Sequence, residues 1–423
     1  MRTRKEAGLA EATATLPAGA SDPPPVRLPI GTGEFVVMIA ALMALNALAI
    51  DVMLPALDDI AGEMGVSGND QQLVIYAYIL GFGVPQLAYG PLSDRYGRRP
   101  VLFAALAGYT ITGLLCSLAT GFGMLLAMRF AQGVFASGCR VVAVGIVRDV
   151  FMGRGMARIM SLVMTIFMVV PILAPSIGQL ILFVAPWEWT FGILALAGGL
   201  VFLWTYTRLA ETRPPARRTP LNLYSIIADY SEVVRTPVTF GYVAASGVIF
   251  GALFAFIGTA EQVYTEVFDT GESFVLWFAG VALMLSAANF TNSRLVERFG
   301  MRRISHGALI GFCALSFLLV VLLSVFGEQF RIFYPVFTLI FACFGLIGSN
   351  FNALAMEPLG RIAGTASAAQ GFATTTVSSL IGWAIGTRYD GSVIPVMTGF
   401  AVLGLVSLAI VLITERGRLF SAR

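Results

Sequence analysis

Polar and apolar positions divide this chain into long apolar runs separated by short polar segments rich in arginine. A helix needs about 20 apolar residues to cross a hydrocarbon layer of about 30 Å, and runs of that length recur along the chain. Continuous runs favour helices over a β-barrel, whose strands would be about 10 residues long with alternating polarity. The pattern predicts twelve membrane-spanning helices, near residues 35–54, 71–90, 101–119, 124–147, 159–182, 189–207, 239–258, 274–292, 304–326, 332–353, 366–386 and 396–414.

Most of the 27 basic residues collect on one side of this predicted membrane: in the amino-terminal tail, the loops after even-numbered spans, the central linker and the carboxy-terminal tail. Because positively charged loops stay in the cytoplasm, both termini are predicted to be cytoplasmic, as an even number of spans requires. Residues 1–33 are polar and Pro-rich, which predicts a disordered cytoplasmic tail, and residues 416–423 form a second, shorter one.

Composition supports the membrane class and excludes others. Charged residues make up 12% of the chain and the mean hydropathy is +0.82, whereas soluble proteins carry about 25% charged residues. A single histidine, His306, and scattered acids form no catalytic or metal-binding cluster, so we expect no metal, no cofactor and no enzymatic activity, and a structural role for His306. The only lysine, Lys5, follows no glycine-rich phosphate loop, so neither direct use of ATP nor a nucleic-acid partner is expected.

The chain also contains an internal duplication. Its longest polar interval, 208–238, carries prolines and a short amphipathic stretch, and it separates six spans in 34–207 from six in 239–415. The segment GPLSDRYGRR at 90–99 recurs as SRLVERFGMR at 293–302, and the pair Gly-Arg at 153–154 recurs at 360–361 with nearly the same offset. Repeats of this kind build transporters whose site lies between the halves near the middle of the membrane.

Segment 90–102 resembles the signature loop between spans two and three of the major facilitator superfamily. The resemblance implies an all-α polytopic membrane protein, with twelve helices in two pseudo-symmetric six-helix bundles that rock around a central cavity. In this loop an acid can accept hydrogen bonds from a helix N-terminus or an arginine, and a glycine permits a tight turn. The loop is therefore interpreted as a charge lock between the halves on the cytoplasmic side, or alternatively as a plain basic loop that sets topology. The lock residues would be Gly90, Asp94, Arg95, Gly97, Arg98 and Arg99, with Glu297 and Arg298 in the second copy.

Spans four and five resemble motifs of the drug:proton antiporters in the same superfamily. The string RFAQG at 129–133 resembles a motif whose arginine is linked to proton coupling, and an arginine inside the membrane must face water or a partner. Arg140 lies on the same helical face. It either extends the basic stripe toward the cytoplasm or, alternatively, reaches the interface or bonds backbone carbonyls. Span five resembles the antiporter motif, in which prolines bend the helix and small residues admit another helix; a purely structural kink is the alternative. The kink residues are Pro171, Ala174, Pro175 and Gly178.

The end of span one resembles the bicyclomycin/chloramphenicol-resistance branch of these antiporters. Asp51 precedes a Met-Leu-Pro turn there and is expected either to exchange protons or to cap the turn. Glu261, in span seven, stands where that branch usually has an uncharged segment, so it is either a second titrating carboxylate or a solvated acid. Further polar residues either line the cavity or join helices by hydrogen bonds: Tyr76, Gln86, Gln132, Arg140, Asn289 and Asn350.

Together these patterns predict a proton-coupled antiporter that exports small organic molecules such as drugs by alternating access. Its expected partners are a small-molecule substrate, protons and the lipid of a bacterial inner membrane, and it is expected to act as a monomer. Proton coupling is assigned to Asp51, Arg129 and Glu261. Uptake or export of a specific metabolite or siderophore by the same fold stays open, because Ala174 and Gln179 stand where exporters usually have glycine. A channel or a sensor is a further alternative.

Overall fold

A computed structural model of the chain describes residues 29–420, except for the side chains at positions 153, 154, 157, 217, 360, 361 and 363. Most of the predicted amino-terminal tail and the last three residues therefore lie outside the described part. All regular structure between residues 29 and 420 is helical, as the apolar runs predict. Short 3-10 or π turns join several of the helices, at Leu54–Ala56, Gly68–Gln72, Pro215–Arg217, Val263–Val267, Gly271–Ser273, Glu357–Ile362 and Ala373–Val377.

The α-helices follow one another through both predicted halves, with one amphipathic helix in the linker between them. Before the linker they are α1 (Thr32–Asp51), α2 (Leu57–Met64), α3 (Leu73–Gly83), α4 (Gln86–Tyr96), α5 (Arg98–Ser117), α6 (Phe122–Val150), α7 (Gly153–Phe167), α8 (Val170–Leu182) and α9 (Glu188–Arg208). The linker carries α10 (Leu223–Arg235). After it come α11 (Pro237–Gln262), α12 (Phe274–Phe299), α13 (Met301–Phe326), α14 (Phe330–Met356), α15 (Ala363–Phe372), α16 (Ser378–Gly386) and α17 (Ile394–Thr414).

The described helices account for most of the predicted membrane spans. Ten are long and apolar enough to cross a membrane, and the pair Gly68–Gly83 and Gln86–Tyr96, bent by 43°, makes an eleventh. The predicted span 366–386 does not meet the same test: it covers α15, a π turn and α16, and the turn is rich in threonine. The prediction of a polytopic helical membrane protein is confirmed, with eleven of the twelve spans supported by length and composition.

The duplication seen in the sequence has a structural counterpart. Gly97 (φ 99°) and Gly300 (φ 81°) adopt a backbone conformation that glycine tolerates best, and each immediately precedes a helix, α5 or α13. In the first half, Glu211 Oε1 and Oε2 accept the backbone N–H groups of Arg98 and Arg99, at 3.0 and 3.1 Å. In the second half, Glu415 accepts Arg302 Nε at 3.0 Å. Each half therefore places an acid that follows its last helix at the first residues of the helix after this glycine.

We predict that Gly97→Ala destabilises the protein while Gly90→Ala does not. A Cβ at position 97 would lie 2.7 Å from Glu211 Oε2 on a positive-φ backbone, whereas one at position 90, inside α4, would meet nothing within 4 Å. Such strain costs about 1–3 kcal/mol, so thermal unfolding of the purified protein in detergent should show a lower midpoint for Gly97→Ala alone. Equal midpoints for the two variants would contradict this account of the turn.

Candidate functional site

A cavity of about 640 Å³ lies between the two predicted halves. Its walls come from α4 and α6 of the first half and from α11, α14 and α15 of the second, and the linker with α10 contributes further residues. The cavity lies toward the side that carries the turn at 94–99, the end of α6 and the linker, called here the basic side. The side that carries residues 54–72 and 262–273 is called the opposite side.

The linker helix α10 joins the halves beside this cavity. The hydroxyl of Tyr230 donates to the carbonyl of Leu87 in α4 (3.0 Å), and Val233 packs against Leu359 and Ile362 after α14. Burial and the nearby Asp229 raise the pKa of the Tyr230 phenol to about 12, so this hydroxyl stays a donor at neutral pH. The amphipathic stretch predicted from the sequence thus borders the cavity.

On the opposite side, neutral hydrogen bonds connect the halves. Gln72 Nε2 donates to Gln262 Oε1 (2.7 Å), and the hydroxyl of Tyr76 donates to the carbonyl of Phe254 (3.0 Å). Asn69 Nδ2 donates to the carbonyl of Tyr389 (2.9 Å). These residues are within helices or turns that face each other, and Gln72, Tyr76 and Gln262 are buried. The molecule is therefore closed on the opposite side, and we call these contacts the opposite-side seal.

Arg129 is the most densely contacted charged side chain of the site, and it is fully buried. Its Nε donates to the carbonyl of Val74 (3.2 Å), Nη1 to Gln132 Oε1 (2.7 Å) and Nη2 to the carbonyl of Ala49 (2.9 Å). The guanidinium also lies 4.4 Å from the centre of the Tyr78 ring. Among the described residues no carboxylate lies within ion-pairing distance of Arg129, so its charge is balanced by dipoles and rings that tie together α1, α3 and α6.

Asp51 ends α1 and is 5% exposed. Arg129 does not contact the carboxylate but binds both flanks of its turn, the carbonyl of Ala49 and the sulfur of Met53 (2.9 Å). The next residue, Val52, packs against α8 so closely that a Cβ at Gly178 would overlap its carbonyl oxygen. The candidate proton acceptor and the span-five motif thus meet at one turn.

The helix break in span five lies between α7 and α8, just before Pro171, which occupies the first turn of α8. Pro175 lies inside α8, and Ala174 is fully buried against Val52. The small residues of the motif therefore serve close packing against the turn that carries Asp51.

Glu261 lies near the end of α11, beside the opposite-side seal, and is 5% exposed. Its Oε1 accepts the hydroxyl of Thr265 (2.8 Å). Asp58 of α2 faces the same carboxyl group across the interface of the halves. Glu261 is thus buried at the interface, not solvated.

The signature loop forms an ion-pair cluster inside the first half. Arg98 binds Asp94 (2.8 Å) and Asp149 (2.9 Å), and Arg213 of the linker binds Asp94 (3.2 Å). Within residues 29–420 none of the ion pairs of this cluster reaches the second half. Arg95 is exposed, and Arg99 donates to the carbonyl of Tyr206 (2.7 Å).

In the second copy of the loop, Glu297 and Arg298 are exposed, and the ion pairs are made by Arg302 with Glu357 (2.9 Å) and Glu415 (3.0 Å). His306, expected to be structural, is buried beside Tyr242, with 3.0 Å between Nε2 and the hydroxyl, and accepts the N–H of Phe420 (3.2 Å).

The polar residues predicted to line the cavity separate into two groups. Gln86 and Arg140 line it, as do Gly90, Asp94 and Arg98 of the signature loop. The others lie elsewhere. Tyr76 belongs to the opposite-side seal, and Gln132 accepts a hydrogen bond from Arg129. Asn289 and Asn350 lie between α12 and α14, where Asn350 donates to Asn292 (2.7 Å).

Gln370 and Thr374 are among the lining residues that the sequence reasoning missed. Their i, i+4 spacing in the predicted span eleven places both on one helical face, which is the signal that could have found them.

Two helical halves around an internal cavity, closed on one side, define an integral membrane transporter. A family model described as Major Facilitator Superfamily matches residues 39–387. The chain therefore belongs to this superfamily, whose members are secondary transporters and not enzymes. Structural similarity agrees: the D-xylose-proton symporter superposes with a TM-score of 0.71 at 13% identity over 93% of this chain and 99% of that one.

Curated bacterial relatives cover most of the chain. It is 30% identical to the Uncharacterized MFS-type transporter YdgK of Bacillus subtilis, over 82% of this chain and 87% of the relative. It is 27% identical to the Bicyclomycin resistance protein homolog of Haemophilus influenzae (90% and 96%) and 29% identical to the Multidrug resistance protein MdtL of Escherichia coli (91% and 96%).

We predict that Arg129→Lys destabilises the protein even though it keeps the charge. An ammonium cannot reach the carbonyls of Ala49 and Val74 and Gln132 together, and unmade hydrogen bonds to a buried charged group cost about 1.5–3 kcal/mol each. The matched control is Arg298→Lys, because Arg298 is exposed and contacts the ring of Phe299. Thermal unfolding in detergent should show a lower midpoint for Arg129→Lys only. An unchanged midpoint would show that the hydrogen bonds of the Arg129 guanidinium do not stabilise the fold.

Proposed function

We propose that this transporter is a proton-coupled exporter of small organic molecules, acting as a monomer in a bacterial inner membrane with both termini in the cytoplasm. The observation that carries the proposal is the cavity of about 640 Å³ between the halves toward the basic side, together with the closed opposite side. With positively charged loops in the cytoplasm, this state takes up its substrate from the inside. The names of the two resistance-related relatives support the same direction and substrate type.

The proposed coupling runs through the turn that carries Asp51. An ionised carboxylate without a cation partner is costly inside a membrane, so exchange of a proton at Asp51 gives this turn two states of different free energy. Arg129 binds both flanks of the turn, and α8 packs on Val52. A change at Asp51 is thereby transmitted to α3, α6 and α8.

Glu261 is proposed as a second proton site. Two carboxyl groups held together resist double ionisation, and Glu261 meets Asp58 of the other half beside the opposite-side seal. Closing the seal then favours one retained proton, and opening it to the outside separates the two acids.

The membrane potential supplies enough energy for such an exporter. One proton that moves inward across 100 mV releases about 2.3 kcal/mol. At about 1.4 kcal/mol per tenfold ratio, this sustains roughly a 50-fold substrate gradient.

We predict that Asp51→Asn abolishes proton-coupled transport, whereas Asp59→Asn, an exposed neighbour in α2, does not. In everted vesicles with an acidic interior, a transported compound added outside should dissipate the pH gradient in wild type, measured with a pH-quenched dye. Ethidium, chloramphenicol and 2-naphthoate form the starting panel. Gradient dissipation by Asp51→Asn at the wild-type rate would remove Asp51 from the scheme, and substrate-induced acidification in wild type would indicate proton-coupled uptake.

The seal can be trapped to test alternating access. The test variant carries Gln72→Cys and Gln262→Cys in a background whose four native cysteines are replaced by alanine. We predict that a short bismethanethiosulfonate crosslinks the two introduced cysteines and that transport stops until the crosslink is reduced. The matched control joins Asn292→Cys to Asn350→Cys, whose amides are also 2.7 Å apart but lie within one half. Its crosslink should leave transport intact. Transport that continues through the crosslinked seal would contradict the mechanism.

A further inference from the structure

We propose that the cavity binds an organic anion and that Arg140 contacts its acidic group. The inference rests on the proposed function to the extent that the bound molecule is the one transported. It assigns a chemical class to the substrate, an amphipathic compound with a carboxylate or a comparable acid.

Arg140 is a cation in the cavity wall, and none of the described carboxylates forms an ion pair with it. It lies 11 residues after Arg129 on α6, about 16 Å farther along the helix axis toward the basic side. Its guanidinium is 5.8 Å from the centre of the Phe82 ring, and no ion pair within residues 29–420 involves it. The other two arginines described on this helix face have partners or water: Arg129 makes several hydrogen bonds, and Arg148 is exposed at the helix end.

The acids around the cavity do not compensate for Arg140. Asp94 is already bound by Arg98 and Arg213. Asp229, the other carboxylate in the described lining, belongs to α10 and makes no ion pair with Arg140. Arg148 adds a further positive charge to the lining. An unpaired guanidinium at membrane depth carries a desolvation cost that a bound anion would offset.

The other residues that line the cavity indicate the chemistry of the rest of the ligand. Phe250, Val141 and Val144 offer an apolar wall, and buried Gln370 has an amide oxygen without a hydrogen-bond partner among the described residues. The cavity volume is in the range of sites for drug-sized molecules, about 300–1,000 Å³. A fitting ligand has one acidic group, an aromatic or aliphatic body and a hydrogen-bond donor.

The test compares probes of equal shape and different charge. The purified full chain in nanodiscs is titrated with 2-naphthoate and with neutral 2-naphthamide at constant ionic strength, and binding is measured by equilibrium dialysis against empty nanodiscs. We expect 2-naphthoate to bind about tenfold more tightly than 2-naphthamide. Arg140→Gln should abolish this preference, and Arg140→Lys should retain part of it. The control is Arg294→Gln, since Arg294 also lies over a ring, that of Phe290, but is outside the cavity lining.

Equal affinity of wild type for the two probes, or a preference that survives in Arg140→Gln, would overturn the inference. The wild-type comparison needs no variant, so it stands even if Arg140→Gln fails to fold. The measurement uses no proton gradient and is therefore separate from the proposed coupling. A wild-type protein without charge preference but with proton-coupled transport would refute only the substrate class. A wild-type protein with the charge preference but without proton-coupled transport would refute only the coupling.

Discussion

The architecture depends on how charge is accommodated inside a helix bundle that lipid surrounds. Lipid offers no hydrogen bonds, so every buried polar group has to find its partners within the protein. Arg129 meets this requirement without a carboxylate: carbonyls, an amide and aromatic rings from several helices converge on it. One guanidinium therefore fixes the relative positions of α1, α3 and α6. The turn that carries Asp51 is held from the same point, because Arg129 contacts residues on both of its flanks.

The two sides of the molecule use different interactions for different purposes. The opposite-side seal consists of hydrogen bonds of neutral amides and a hydroxyl, and the carboxyl groups of Glu261 and Asp58 face each other beside it. Such bonds contribute about 1 kcal/mol net each, and breaking them strands no charge. Each ion pair described on the basic side stays within one half, if the linker is counted with the first. Removing one partner of a buried ion pair costs several kcal/mol, so this distribution leaves the strong pairs intact when the halves separate.

The two duplicated halves share a backbone feature but differ in their charged residues. Both halves turn at a glycine, and an acid that follows their last helix contacts the start of the next helix. The charged stripe occurs in the first half: α6 carries Arg129 and Arg140, whereas α14, the corresponding helix of the second half, carries buried Phe337 and Phe341. The cavity between the halves therefore has one basic wall, and its other wall combines Phe250 with small and polar residues such as Gln370 and Thr374.

The hydrophobic pattern by itself determined the helical membrane class and nearly all of the spans, and the repeated segments at 90–99 and 293–302 indicated the duplication. These features are set locally, because each helix satisfies its own backbone hydrogen bonds and the length of an apolar run indicates whether it can cross the membrane. The pattern also identified the face of α6 that bears Arg129 and Arg140, since helical periodicity is local. Which polar residues meet was decided only by the tertiary structure. Tyr76 and Arg140 are both polar side chains within apolar runs, yet one bonds across the seal and the other lines the cavity. Gln370 and α10 join that cavity through contacts between residues far apart in the chain. No single segment encodes those contacts, because they depend on how the helices pack and on which side the halves are closed.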